Sequence, residues 1–200
     1  MRHGIAKLIH SLIHILSLVW VMVYYYLAIS DQLGGDPVQA ILDFTGMGAL
    51  HLLLLSLLVS PIAKALKQGQ IMPWRRPLGL YAAFYACLHV ASFIAFELGF
   101  EWKLIISEVI ERPYITVGFV ALVILIALSI TSLPALRRIM GRKWQSLHNL
   151  VYLTILLICL HFWWSLKSDW LEPALYLFVA LILLSARYSK FKVLRRKTKR

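Results

Sequence analysis

Leu78-Gly79-Leu80-Tyr81-Ala82-Ala83-Phe84-Tyr85-Ala86-Cys87-Leu88-His89-Val90-Ala91-Ser92-Phe93-Ile94-Ala95-Phe96-Glu97-Leu98 is the stretch on which the fold turns. Its one charged residue, Glu97, stands at the far end, and an imidazole, His89, lies near the middle. A helix needs roughly 20 apolar residues to cross the hydrocarbon layer, so this run predicts a membrane span. Five further stretches read the same way, at 8–29, 46–66, 114–133, 147–166 and 171–188. The chain is 60% hydrophobic over 200 residues, with a mean hydropathy of +0.76, a composition that needs lipid as solvent. The expectation is an all-α membrane protein, a six-transmembrane-helix bundle forming one domain over 1–200. A basic tail at 189–200 closes the chain, and no internal repeat is read. Arg2 and Lys7 give the first stretch the look of a secretion signal. Its apolar run is too long for one, and no small-residue cleavage site follows Tyr24-Tyr25-Tyr26, so it reads as a retained anchor.

Charge then orients the bundle. With both termini cytoplasmic, eighteen of the 21 Lys and Arg fall inside: Arg2 and Lys7; Lys64, Lys67, Arg75 and Arg76; Arg137, Arg138, Arg142 and Lys143; and eight from Arg187 to Arg200. Lys103, Arg112 and Lys167 fall outside with all nine acids. That asymmetry is the positive-inside pattern. The net charge of +12 therefore points to anionic headgroups rather than nucleic acid. No RNA-binding motif or aromatic interleaving accompanies the tail. The outer loops 30–45 and 99–113 are the longest, and the second has room for a short surface helix.

Histidines inside apolar spans are costly and mark functional sites. His89 lies 13 residues beyond Arg76, about 20 Å into the third stretch at about 1.5 Å per residue. His161 lies 14 residues beyond Leu147, nearly level with His89, and the third and fifth stretches run in the same direction. Two imidazoles at one depth on facing helices suit axial ligation of a haem iron. His148 sits about 20 Å below His161, at the cytoplasmic edge. On a straight helix it would point about 140° away from His161. Its partner at that level on the third stretch would be Arg76, with Arg75 beside it. Arginine stays protonated and makes a poor iron ligand but a good partner for propionates, a quinone or a flavin phosphate. His148 admits three readings: ligand of a second haem, proton donor in a cofactor or quinone pocket, or solvated polar residue.

The remaining candidates carry less. His10 and His14, spaced i, i+4, share a helix face but lack a third metal ligand. His51 reads as a polar contact within the bundle. Cys87 and Cys159 read as small buried packing residues, and no Cys-x-x-Cys-His run exists for covalent haem attachment. Trp74, Trp144, Trp163 and Trp164 fall where an interfacial aromatic belt is expected, and Trp163-Trp164 also stand beside His161, where they could line an electron exit.

Several runs together resemble one family. They are Arg75-Arg76-Pro77-Leu78-Gly79-Leu80-Tyr81 leading to Leu88-His89, then Arg112-Pro113-Tyr114-Ile115-Thr116-Val117-Gly118, then Thr131-Ser132. Last comes Gly141-Arg142-Lys143-Trp144-Gln145-Ser146-Leu147-His148-Asn149-Leu150-Val151-Tyr152 with His161. This pattern is similar to the MsrQ (YedZ) family, ferric-reductase-like membrane domains related to NADPH oxidases. The resemblance implies haem b, one or two per chain, with His89, His148 and His161 as haem histidines in the bacterial inner membrane. The oxidase relatives use two histidines on each of two helices; here Arg75 and Arg76 occupy one of those positions. The resemblance also implies electrons from the quinol pool or a cytoplasmic flavin reductase. They would leave to a periplasmic MsrP-type molybdopterin enzyme that repairs oxidised methionine. FMN rests on the resemblance alone. Two other functions compete: a self-standing ferric or oxygen reductase, which lacks a nucleotide-binding glycine motif here, and a haem-free transporter or assembly factor.

Overall fold

The computed structural model describes residues 2–166 and 170–186; the basic tail, Lys167 and Asp169 lie outside the described residues. Every regular element within them is helical. The long helices are α1 (Arg2–Ile29), α2 (Pro37–Ala65), α3 (Arg75–Ser92), α5 (Pro113–Ile130) and α8 (Val151–Ser165), with α9 (Leu171–Ser185) closing the series. Shorter pieces are α4 (Trp102–Glu111), α6 (Pro134–Met140) and α7 (Arg142–His148). A 3₁₀ turn, Gly69–Trp74, leads into α3, and a π-helical turn, Phe93–Glu97, ends it.

Among the described residues, five segments are long and apolar enough to cross a membrane: Lys7–Ile29, Pro37–Ala65, Gly69–Glu97, Pro113–Ile130 and Arg142–Ser165. The sixth expected span is represented by α9, whose 15 residues extend only about 22 Å. The second span begins nine residues earlier than the hydropathy placed it. Asp36 caps α2 by accepting a hydrogen bond from the Gln39 amide at 2.9 Å, and Pro37 occupies the first turn, where its missing N–H costs nothing. The Gln39 amide group then donates to Asp43 at 2.7 Å, so polar residues that read as loop line the first turns of a helix. The surface helix expected in the second outer loop is α4. Its Trp102, Ile106 and Ile110 are exposed at i, i+4 and i+8, while Ile105, Glu108 and Val109 turn inward.

The core gathers Leu50, Leu53, Leu54 and Leu57 of α2, Ala82 and Ala83 of α3, and Leu125 of α5. Ile155 and Cys159 of α8 and Ala180 and Leu183 of α9 complete it. The three alanines let backbones approach closely, which is how helices associate when lipid tails are as apolar as leucine. A Cβ at Gly48 would run into the Tyr85 ring, so that glycine sets the closeness of α2 and α3. Against this core α1 is peripheral, its Lys7–Ile29 span being the least buried of the five and the α2 span the most. Polar ties hold it: Tyr85 donates to the Ser17 carbonyl at 2.9 Å, and the Tyr25 and Ser92 hydroxyls lie 2.6 Å apart. Cys159 is buried as expected, whereas Cys87 is exposed, because α3 turns that face away from the bundle.

The packing reveals an internal repeat that the sequence reading missed. α2 packs most extensively on α3, and α5 on α8. The two hairpins correspond at a constant offset of 72 residues, with identities at Gly46/Gly118, Ala49/Ala121, Leu50/Leu122, Leu53/Leu125, Gly69/Gly141 and the run Cys87-Leu88-His89/Cys159-Leu160-His161. The copies differ near their prolines. α2 continues through Pro61, whereas α5 stops at Ile130 and Pro134 opens α6 as a separate piece.

Candidate functional site

The repeat places one histidine on each hairpin in the same local setting. His89 Nδ1 lies 3.0 Å from the Leu42 carbonyl oxygen, 47 residues earlier. His161 Nδ1 lies 2.7 Å from the Tyr114 carbonyl oxygen, also 47 residues earlier. A carbonyl only accepts, so each Nδ1 carries the proton and donates it. The lone pair of each neutral ring is thereby left on Nε2.

Glycines one turn beyond those carbonyls make the approach feasible. A Cβ at Gly46 would stand 3.2 Å from His89 Nδ1 and Cε1, and one at Gly118 would stand 2.8 Å from His161 Nδ1. A side chain at 118 would push the His161 imidazole off its carbonyl, and one at 46 would crowd His89. The two rings then face each other across the bundle with centres 6.3 Å apart and planes 82° apart. A metal–imidazole nitrogen bond of about 2 Å on either side, added to the ring radii, fills that separation. The donor set also fits haem, since neutral histidines oriented by backbone carbonyls are ordinary axial ligands. Tyr114 adds a ring 6.1 Å from that of His161, inclined to it by 29°. Beyond it, Arg112 donates to the Tyr114 hydroxyl at 3.2 Å and pairs with Glu108 at 2.9 Å.

The other predicted residues are not drawn into this pair. His148 ends α7 and is separated from α8 by i to i+3 hydrogen bonds, Leu150 to Leu147 and Tyr152 to Asn149, which tighten the winding there. Its Nε2 lies 3.1 Å from the Thr131 hydroxyl, and its ring stacks on Trp144 at 3.9 Å and 26°. Trp144 in turn donates to the Thr131 carbonyl at 2.8 Å and carries Arg137 over its face at 4.7 Å. The Arg75 guanidinium donates to the Ser56 carbonyl at 3.2 Å, and the Ser56 hydroxyl donates back to the Arg75 carbonyl at 2.9 Å. Arg75 thus fastens the start of α3 to α2. Arg76, the repeat counterpart of His148, lines a cleft of about 570 Å³ with Ser132, Pro134, Arg137, Arg138 and Gly141.

Of the remaining histidines, His51 makes the expected polar contact, its Nε2 lying 2.6 Å from the Tyr176 hydroxyl on α9. The His10 and His14 rings lie 4.9 Å apart, tilted by 43°. Among the described residues no group of three or more His, Cys, Asp or Glu gathers to hold a metal. Sequence reasoning missed Gly46, Gly118 and the carbonyls of Leu42 and Tyr114. The signal that finds them is the glycine placed 43 residues before each histidine.

Residues 45–159 match the family described as ferric reductase like transmembrane component. A protein from Xanthomonas euvesicatoria pv. vesicatoria, called protein-methionine-sulfoxide reductase heme-binding subunit MsrQ, is 45% identical over 171 residues. That alignment covers 86% of this chain and 78% of the relative. Proteins of the same name from Xanthomonas axonopodis pv. citri and Cronobacter sakazakii are 46% and 43% identical. They cover 80% and 88% of this chain and 74% and 88% of their own. Such similarity along most of both sequences, over a multi-pass helical fold, means that this chain belongs to the MsrQ family.

Proposed function

We propose that this chain is the haem-binding, electron-transferring membrane subunit of a protein-methionine-sulfoxide reductase system. The observation that carries the reading is the pair of neutral imidazoles, His89 and His161, 6.3 Å apart with both Nδ1 protons committed to backbone carbonyls. These two residues hold one haem b. Gly46 and Gly118 keep the rings on their carbonyls, and the hydrogen bonds prevent rotation of either ligand. Haem iron supplies a one-electron couple whose potential depends on axial ligation, hydrogen bonding and burial.

At the other end of the two hairpins Arg76 is the repeat counterpart of His148, and an arginine offers iron no lone pair. The reading is therefore one haem in the outer half, with His148 and Arg76 serving the inner, cytoplasmic face. Both termini lie inside by the distribution of Lys and Arg, and six spans cross the bacterial inner membrane. Electrons enter from the quinol pool or a cytoplasmic flavin reductase, and they leave outward to a periplasmic MsrP-type molybdopterin reductase. Support for the outward direction comes from the level of His89 and His161 and from Tyr114 and Arg112 beyond them. FMN bound near Arg75, Arg76 or His148 would follow from family resemblance.

The test is a pyridine haemochrome assay on the purified full chain. One b-type haem per chain is expected. Two haems would restore His148 as an iron ligand, and none would remove the electron-carrier reading.

A further inference from the structure

The two hairpins hold their histidines alike but not identically. His89 reaches the Leu42 carbonyl at 3.0 Å, a longer hydrogen bond than the 2.7 Å between His161 and the Tyr114 carbonyl. The His89 side also carries a polar group of its own. Thr45, fully buried on α2, stands next to Gly46 with its Oγ1 3.5 Å from His89 Nδ1. At the offset of 72 its counterpart is Val117, which has no hydroxyl. The threonine of the second hairpin, Thr116, comes one residue earlier, and its hydroxyl turns to the carbonyls of Val109 and Arg112.

A threonine inside a helix ordinarily satisfies its hydroxyl on the carbonyl four residues earlier, as Thr154 does on Leu150 at 2.9 Å. Thr45 makes that bond too, donating to the Ile41 carbonyl at 2.7 Å. The bond uses the one hydroxyl proton and leaves the lone pairs of Oγ1 free to accept. Facing them is His89 Nδ1, which carries a proton. The Leu42 carbonyl, at 3.2 Å from Oγ1, is the more distant taker of the hydroxyl proton. Thr45 therefore adds an acceptor beside the imidazole N–H rather than competing for the one already there.

We propose that Thr45 is a positioning residue for the iron ligand His89, its hydroxyl oxygen serving as a second acceptor for the Nδ1 proton and so lowering the reduction potential of the haem; this rests on the reading of His89 and His161 as ligands of one haem. Acceptors on Nδ1–H raise the basicity of the ligating Nε2. A more basic ligand favours ferric over ferrous iron, and hydrogen bonding around the ligands is one of the levers that set haem potentials. The burial of Thr45 keeps water from screening the contact. The oxygen of Thr45 thus offsets the longer bond that His89 makes to its carbonyl.

The experiment is a spectroelectrochemical redox titration of the purified full chain beside Thr45→Val, Thr45→Ala and Thr45→Ser. The Leu42 carbonyl remains in every variant, so the effect is smaller than the about 10- to 100-fold cost of losing a whole outer partner. Thr45→Val should change the preference for ferric over ferrous iron by about threefold, an upward shift of about 28 mV for a one-electron couple. Haem per chain and the low-spin spectrum should stay as they are. Thr45→Ala, which also lacks the hydroxyl, should shift the potential the same way and decides the matter if the valine variant does not fold. Thr45→Ser, which keeps the hydroxyl, should restore the original potential. A purely structural threonine would lower haem content or thermal stability without moving the potential, and an unmoved potential in Thr45→Val and Thr45→Ala overturns the proposal. A downward shift overturns it too, since the hydroxyl would then be competing for the Leu42 carbonyl. His89→Ala, titrated alongside, separates the two readings. If it loses the low-spin haem while the Thr45 variants leave the potential unmoved, only the role of Thr45 is discarded. If it keeps that haem unchanged, the ligand pair itself is discarded.

Discussion

Gly118 leaves His161 no spare room: a Cβ at 118 would stand 2.8 Å from the imidazole Nδ1, the atom that donates to the Tyr114 carbonyl. The same relationship recurs between Gly46 and His89 with a looser 3.2 Å. The ring cannot retreat without breaking the hydrogen bond that fixes its tautomer and direction. The glycines are therefore part of the site, although neither carries a side chain.

That difference in clearance predicts a graded response. Gly118→Ala should lower haem retained per chain severely, while Gly46→Ala should retain most of it. Outer-shell changes at metal-bound histidines typically cost about 10- to 100-fold in affinity, and Gly118→Ala belongs in that range. Haem content of the purified variants checks it, and full occupancy with an unchanged spectrum in Gly118→Ala would contradict the account.

His148 is held by its own cluster, which predicts independence from the haem pair. Thr131→Val removes the hydroxyl that meets His148 Nε2 and should lower stability by about 1 kcal/mol. The spectrum arising from His89 and His161 should remain. His148→Ala should leave the same spectrum intact while slowing reduction from the cytoplasmic side. Loss of low-spin haem in either variant would place His148 among the iron ligands.

Depth and phase were not equally legible in the sequence. That His89 and His161 lie level could be counted from the helix rise, because depth depends only on residues elapsed. The rotation of His148 relative to His161 could not, since the count assumed one straight helix. The chain instead tightens at Asn149 and Leu150. The early start of α2 was hidden because Gln39 and Asp43 read as loop, although Asp36-Pro37 is a helix-start signal. The repeat escaped notice for a related reason. Its identities are scattered across the hairpins, and only the matching carbonyl contacts of His89 and His161 make the offset of 72 visible.

Direction is tested with sealed vesicles of both orientations and a membrane-impermeant acceptor. Pre-reduced haem should be oxidised quickly only where the acceptor reaches the face that carries Arg112 and α4. Reduction by a diffusing anionic donor should be faster at the basic face and should slow as salt rises, since screening acts within about 10 Å at 0.1 M. Fast oxidation solely from the basic face would reverse the route.

The most direct measurement of the central claim is the low-spin haem spectrum, by absorption and electron paramagnetic resonance, of His89→Ala and His161→Ala beside the unmodified chain. If both imidazoles address one iron, as proposed, each variant should lose the same low-spin species, and the double variant should lose nothing more. If either single variant keeps that species unchanged, His89 and His161 do not share an iron, and the site described between them is not the haem site.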